Sequence, residues 1–308
     1  MVMVEAKNLT KVYNSSTVVD CLNLKIDEGQ LYGFLGPNGA GKTTTILMLL
    51  GLTEPTSGTG FIAGFNSSRE PLKVKRITGY IPEKVGFYND LTARSNLIYT
   101  ANLNGIRGKQ AEMEVARSLE DVGLKEKTNS LVSTFSKGMK QRLAIADILV
   151  KRPKVAFLDE PTSGIDPAGI AQTLDLISRV AKENNMTIVM SSHQLSQVER
   201  ICSHVGMISK GRLLAEGSIE QLGKKAGGGK FAIEIQLAEI TQDIVDAIKS
   251  VRGVLNINRG ENTLNIVCTD DLRREISRVI SDKNGLITQM KLQSYGLEDI
   301  YMKVFKEA

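Results

Sequence analysis

The chain has 308 residues, 42% hydrophobic and 24% charged, which suits about two soluble globular domains and disfavours disorder or fibrous structure. Its longest uninterrupted aliphatic run, Ile46 to Leu50, is far short of the roughly 20 apolar residues that cross a bilayer, and Glu5, Lys7 and Asn8 break any secretory signal in Met1 to Thr10. A net charge of +5 with no Lys/Arg block argues against a nucleic-acid partner; the chain is expected in the cytosol, with Cys21, Cys202 and Cys268 as reduced, buried thiols.

In chain order, strand-like runs at Leu22 to Ile26, Leu31 to Leu35, Val155 to Leu158, Thr187 to Met190 and Val205 to Ile208 alternate with helical stretches. That pattern predicts an α/β domain around a largely parallel sheet, here over residues 1–222. The stretch from Asn89 to Val150 reads as an inserted helical subdomain without strands. Three successive glycines within Gly223 to Lys230 read as a flexible connector. Residues 231–308 then predict a small α+β, ferredoxin-like domain. Its strands are Phe231 to Leu237, Val254 to Arg259, Thr263 to Cys268 and Leu286 to Leu292, and its helices lie around Ile240 to Val251, Asp271 to Asp282 and Leu297 to Phe305.

Chemistry concentrates in the first domain. Gly36-Pro37-Asn38-Gly39-Ala40-Gly41-Lys42-Thr43 fits G-x-x-x-x-G-K-[ST] between an apolar strand and the helical run Thr44 to Leu50. Such a loop turns backbone N–H groups toward phosphate oxygens. Lys42 is placed to reach the β- and γ-phosphates and Thr43 to ligate Mg²⁺. The apolar run Val155 to Leu158 ends in Asp159-Glu160, one carboxylate for the metal and the next for an attacking water. The bland readings, a Gly-rich turn and a solvated acidic turn, lose weight because both motifs occur in one chain.

With these motifs the sequence resembles the ATP-binding subunits of ABC transporters, over about Val4 to Leu222. Phe135-Ser136-Lys137-Gly138-Met139-Lys140-Gln141-Arg142 is similar to the family's signature, just upstream of the Asp159-Glu160 strand. Ser163-Gly164-Ile165-Asp166 resembles the D-loop, His193 the switch histidine, and Tyr13 the aromatic that stacks on adenine. Gly79-Tyr80-Ile81-Pro82-Glu83 resembles the Q-loop. The resemblance implies a P-loop ATPase of the multidrug or ABC-2 exporter type, with ATP and Mg²⁺ as cofactors.

It further implies that nucleotide contacts come from Tyr13, the loop Gly36 to Thr43, Thr44, Glu83, Ser136, Gly138, Asp159 and Asp166. Metal contacts are implied for Thr43, Glu83 and Asp159, and catalysis by Glu160 and His193. Because the signature faces another molecule's P-loop, a homodimer is implied, docked on separate transmembrane permease subunits at the inner face of the membrane. Two departures stand out: Lys137 and Met139 replace Gly and Gln of the signature, and Glu83 replaces the Q-loop glutamine. Ser294 to Tyr301 is similar to a closing segment of exporter ATPases. Two alternatives stay open: an ATPase serving copper-enzyme maturation, whose members share the Ser-Lys-Gly-Met signature, and a soluble, non-transport ABC ATPase.

Overall fold

Elements follow one another as β1 (Val2–Tyr13), β2 (Ser16–Asp27), β3 (Leu31–Leu35), α1 (Lys42–Leu49), β4 (Ser57–Ile62), β5 (Phe65–Asn66), α2 (Pro71–Ile77) and β6 (Thr78–Ile81). Next come α3 (Ala93–Leu103), α4 (Gly108–Asp121), α5 (Lys137–Leu149), β7 (Val155–Asp159), α6 (Pro167–Glu183), β8 (Thr187–Ser192), α7 (Leu195–Ile201), β9 (His204–Ser209) and β10 (Arg212–Ser218). This computed structural model describes residues 1–226, 231–293 and 296–306. Contacts group Met1–Gly217 as one unit and Ser218–Ala308 as another.

Two sheets build the first unit. One has the order β2-β1-β4-β5, the other β10-β9-β3-β8-β7-β6. In the second sheet β3, β6, β7, β8 and β9 run parallel, and β7 and β8 are buried along their whole length. Strands covered on both faces read as continuous apolar runs, which is why these were visible in the sequence. The register pairs Leu35 with Ser192 and Asp159 with Ser191. The loops leaving β3, β7 and β8 therefore emerge at one end of the sheet, where such folds bind ligands.

The first sheet was less legible. β1 was not expected, because a register shift between Ala6 and Leu9, where Asn8 takes φ +48°, interrupts the alternation of its buried residues Val4, Ala6 and Leu9. Cys21 corrects the expectation of three buried thiols. It is exposed on β2, at an edge of the sheet, whereas Cys202 and Cys268 are buried. Burial pushes the Cys202 thiol up to about 12. The inserted α3, α4 and α5 pack together around Leu97, Val115, Leu119 and Leu143, as the sequence predicted, apart from one isolated bridge between Thr92 and Leu131.

The second unit comprises α8 (Ile219–Ala226), β11 (Phe231–Leu237), α9 (Gln242–Lys249), β12 (Val254–Arg259), β13 (Thr263–Cys268), α10 (Arg273–Asp282), β14 (Ile287–Gln293) and α11 (Leu297–Lys306). Residues 223–226, assigned to the connector from sequence, lie in α8. Buried Leu222 anchors that helix, and Lys and Ala favour its continuation past one glycine. Residues 227–230, and Ser294 with Tyr295 of the closing segment, lie outside the described residues. The sheet order is β12-β13-β11-β14, all antiparallel, giving the ferredoxin-like β-α-β-β-α-β arrangement. Ile233, Ile235, Leu264 and Ile266 face Ile244, Ile248, Ile276 and Ile280 in its core. Ile266, fully buried, is a sensitive point: Ile266→Ala is expected to cost this unit about 2–5 kcal/mol, read by urea denaturation.

Candidate functional site

The segment between β3 and α1 is held tightly. A methyl group on Gly36 would stand 2.3 Å from the Ile208 carbonyl oxygen, so only glycine fits there. Gly41 takes φ +104° as the N-cap of α1, a conformation that favours glycine. Lys42, 6% exposed, folds back over the loop: its Nζ donates to the carbonyls of Gly36 (2.7 Å) and Pro37 (3.2 Å) and lies 3.6 Å from Glu160 Oε1. Asn38, Gly39, Ala40, Gly41, Lys42, Thr43 and Thr44 line a cavity of about 270 Å³, closed by Val18, Glu83 and Glu160. Val18, contributed by β2, carried no signal in the sequence.

At the end of β7 the two carboxylates diverge. Asp159 is buried; its Oδ2 accepts from the Thr43 hydroxyl at 2.7 Å, and its Oδ1 accepts from the Ser191 hydroxyl. Glu160 takes φ +48°, a strained value for a residue other than glycine, and its N–H donates to the Ser191 carbonyl at 3.2 Å. Glu160 Oε2 pairs with His193 Nδ1 at 3.0 Å, while the buried Oε1 has no hydrogen-bond partner. Ser191 thus braces the Asp159 carboxylate and the Glu160 backbone. Sequence reasoning missed it, because it reaches them only through the parallel pairing of β7 with β8. Tyr80 on β6 has its phenol pushed up to about 12 by burial and by the charge of Asp159.

Ser136, Gly138 and Asp166 lie elsewhere, around a second cavity of about 470 Å³ that shares no lining residue with the first. Ser136 caps α5 by accepting from the Met139 N–H at 3.2 Å, and Asp166 caps α6 by accepting from the Gly169 N–H at 3.2 Å. Tyr13, at the end of β1, is 45% exposed, with Lys11 Nζ 4.9 Å from its ring centroid; it does not line the first cavity. The structure therefore gathers the P-loop, Glu83, Asp159, Glu160 and His193 into one group, and Ser136, Gly138 and Asp166 into another.

The oxygen donors of the first group suit a hard divalent cation. The Thr43 hydroxyl touches the Asp159 carboxylate, and Glu83 lines the same cavity. Among the described residues no three His, Cys, Asp or Glu side chains converge as a metal cage. A hydroxyl and one or two carboxylates fit Mg²⁺, which keeps several waters and takes phosphate oxygens.

Comparison with known proteins agrees with this geometry. A family model described as "ABC transporter" matches residues 19–163. The chain is 47% identical to the bacitracin transport ATP-binding protein BcrA of Bacillus licheniformis, over 79% of this chain and 78% of that one. It is 34% identical to the linearmycin resistance ATP-binding protein LnrL of Bacillus subtilis, over 86% and 84% of the two chains. A solved structure of an ATP-binding subunit of an ABC transporter superposes with a TM-score of 0.66 at 31% identity, covering 73% of this chain and 93% of that one. With a P-loop facing the Asp159-Glu160 pair and relatives matched over most of their length, the chain belongs to the ABC transporter family, as one of its ATP-binding, ATP-hydrolysing subunits.

Proposed function

We propose that two copies of this subunit close head to tail over two ATP molecules, on the cytosolic side of a permease carried by separate chains, and drive export of a peptide antibiotic of the bacitracin class. One observation carries the dimer: the P-loop and the Ser136-Gly138 helix start line two cavities without a common residue. The signature, which the resemblance assigns to a nucleotide site, would then be supplied by a second copy. The substrate class is supported by the 47% identity to the bacitracin transport subunit.

The chemistry follows from the positions of the side chains. Lys42 would leave the loop carbonyls for the β- and γ-phosphates, and the N-terminus of α1 would add its dipole. Mg²⁺ would be held by Thr43 and Asp159, with Glu83 beside them, and would offset charge on the phosphate oxygens. Glu160 would take a proton from the attacking water at Oε1, which accepts no hydrogen bond and would lose its ion pair as Lys42 moves to the phosphates, while His193 steadies Oε2 and would face the charge that develops on the γ-phosphate. Ser136 and Gly138 would close on that phosphate from the partner, with Asp166 at the interface and Tyr13 beneath the adenine. Residues 231–308 would act as an accessory domain for dimerisation or regulation. Deleting them should then alter ATP-driven dimerisation or turnover, and unchanged values would remove that role.

The test of function is to isolate the protein from detergent-solubilised membranes, identify its companions by mass spectrometry, and coexpress it with them in a bacitracin-sensitive host. A stoichiometric partner with about six apolar helices is expected. Resistance should rise, and should not rise with Glu160→Gln. Recovery only with ribosomes or nucleic acid would overturn the transport reading; a membrane partner without bacitracin resistance would overturn the substrate class alone.

A further inference from the structure

The parallel ladder between β7 and β8 ends at the Asp159–Ser191 pair, so the loops that leave it, one carrying Glu160 and the other His193, need further bonds to keep those side chains together. His193 supplies little by itself: its ring is exposed, and among the described residues its one hydrogen-bond partner is Glu160. A buried chain of side chains spans the same two loops. The Thr162 hydroxyl donates to Gln197 Oε1 at 2.5 Å, and Gln197 Nε2 donates to Gln194 Oε1 at 2.6 Å. Gln194 follows His193 and donates its N–H to the Ser192 hydroxyl at 3.0 Å, so the turn is held on both sides of the histidine. Thr162 lies just beyond Glu160, in a loop closed by the Ser163 N–H on the Glu160 carbonyl at 3.0 Å. Helix α7 buries Gln197 and Val198, and Thr162 is buried too. A buried amide loses its water and is tolerated only with its bonds made, whereas leucine fills a similar volume without that cost. Packing alone therefore favours an apolar residue at 197; what the amide adds is a fixed distance between the two loops.

We propose that Gln197 is a positioning residue for hydrolysis: through its bonds to Thr162 and Gln194 it holds the turn that carries His193 against the loop that carries Glu160, and so keeps the His193 ring on the Glu160 carboxylate. This rests on the roles proposed above for Glu160 and His193. Gln197 touches neither of them by a hydrogen bond and acts through the two loops. Both of its partners adjoin the reacting groups, Thr162 on the Glu160 side and Gln194 on the His193 side, so loss of either bond frees one loop to drift from the other. A drift of about 1 Å in a group that must meet a reacting atom is enough to slow a reaction severely while substrate still binds.

The experiment uses the full chain and two readings, ATP turnover and the NMR signals of the His193 ring in nucleotide-free protein. The chain has two histidines, so a His204→Gln sample assigns them, and Glu160→Ala gives the position of an unpaired ring. Gln197→Leu breaks both bonds, and Thr162→Val breaks the chain from the other loop at nearly unchanged shape. Gln197→Glu still accepts from Thr162 and receives a bond from Gln194 once that amide turns over. Gln197→Leu and Thr162→Val are each expected to lower kcat about tenfold with the KM for ATP unchanged, and to move the His193 signal toward its position in Glu160→Ala. The two together should do no more than either alone, and Gln197→Glu should restore most of both readings. The parent's kcat in either variant, or a lowered kcat with the His193 signal at the parent's position, would overturn the role of Gln197 and leave those of Glu160 and His193 standing. Should Gln197→Leu fail to fold, Thr162→Val decides on the same two readings. If His193→Ala kept the parent's kcat, the role of His193 would fall, and this inference with it.

Discussion

Glu160→Gln should lower the turnover of ATP by about 10²–10⁴-fold while leaving nucleotide affinity nearly intact. Glutamine keeps the shape of the side chain and an oxygen for His193, so the brace at 3.0 Å can persist. What disappears is the capacity of Oε1, buried and free of hydrogen-bond partners, to accept a proton. Phosphate release measures the first effect. Gel filtration with ATP measures the second, and a dimer that accumulates and does not decay is expected, because in the proposed cycle binding closes the dimer and hydrolysis reopens it. The negative charge near Lys42 also goes, which should tighten ATP binding if it moves it at all. Full activity in this variant would exclude Glu160 as the base and shift attention to His193.

The candidate site residues are legible where they are contiguous. Gly36 to Thr43 and Asp159-Glu160 announce themselves because local geometry, a tight turn into a helix and the end of a buried strand, demands those residue types in that order. Ser191 was not legible. It meets Asp159 and Glu160 only because β7 and β8 pair in register, and a serine at the end of an apolar run carries no such message by itself. Val18 reaches the P-loop cavity from β2, in the other sheet, and only the folded chain brings the two together. The sequence resemblance gives His193 only as the switch histidine; the folded chain shows its ring paired with Glu160.

Fold elements follow a similar division. Fully covered strands and the amphipathic second unit were visible as runs and periodicities. Strands with interrupted patterns were not: β1 carries a register shift, β4 begins Ser-Gly-Thr-Gly, and β6 has only four residues. Helix α8 shows the opposite error, since a single glycine and two lysines looked like the start of a connector yet continue a helix already anchored by Leu222.

Lys42→Ala should fail at the step before Glu160→Gln does. Lys42 is nearly buried, and its three neighbours are the carbonyls of Gly36 and Pro37 and the Glu160 carboxylate. Each of those oxygens would be offered to a triphosphate only as repulsion once the ammonium is gone. ATP affinity is therefore expected to fall by about 100-fold, the loss of one or two charge-assisted hydrogen bonds together with an uncompensated carboxylate at the mouth of the site. The free protein should also lose about 1–3 kcal/mol, because Glu160 keeps only His193 as a partner for a largely buried charge. Isothermal titration and thermal unfolding report the two effects separately. The two variants then predict opposite behaviour of the assembly under saturating ATP: Glu160→Gln as a persistent dimer, Lys42→Ala as a monomer. If Lys42→Ala still dimerised with ATP at the parent's concentration, the cavity between β3 and α1 would not be where the triphosphate sits, because among the described residues no other cation lines it.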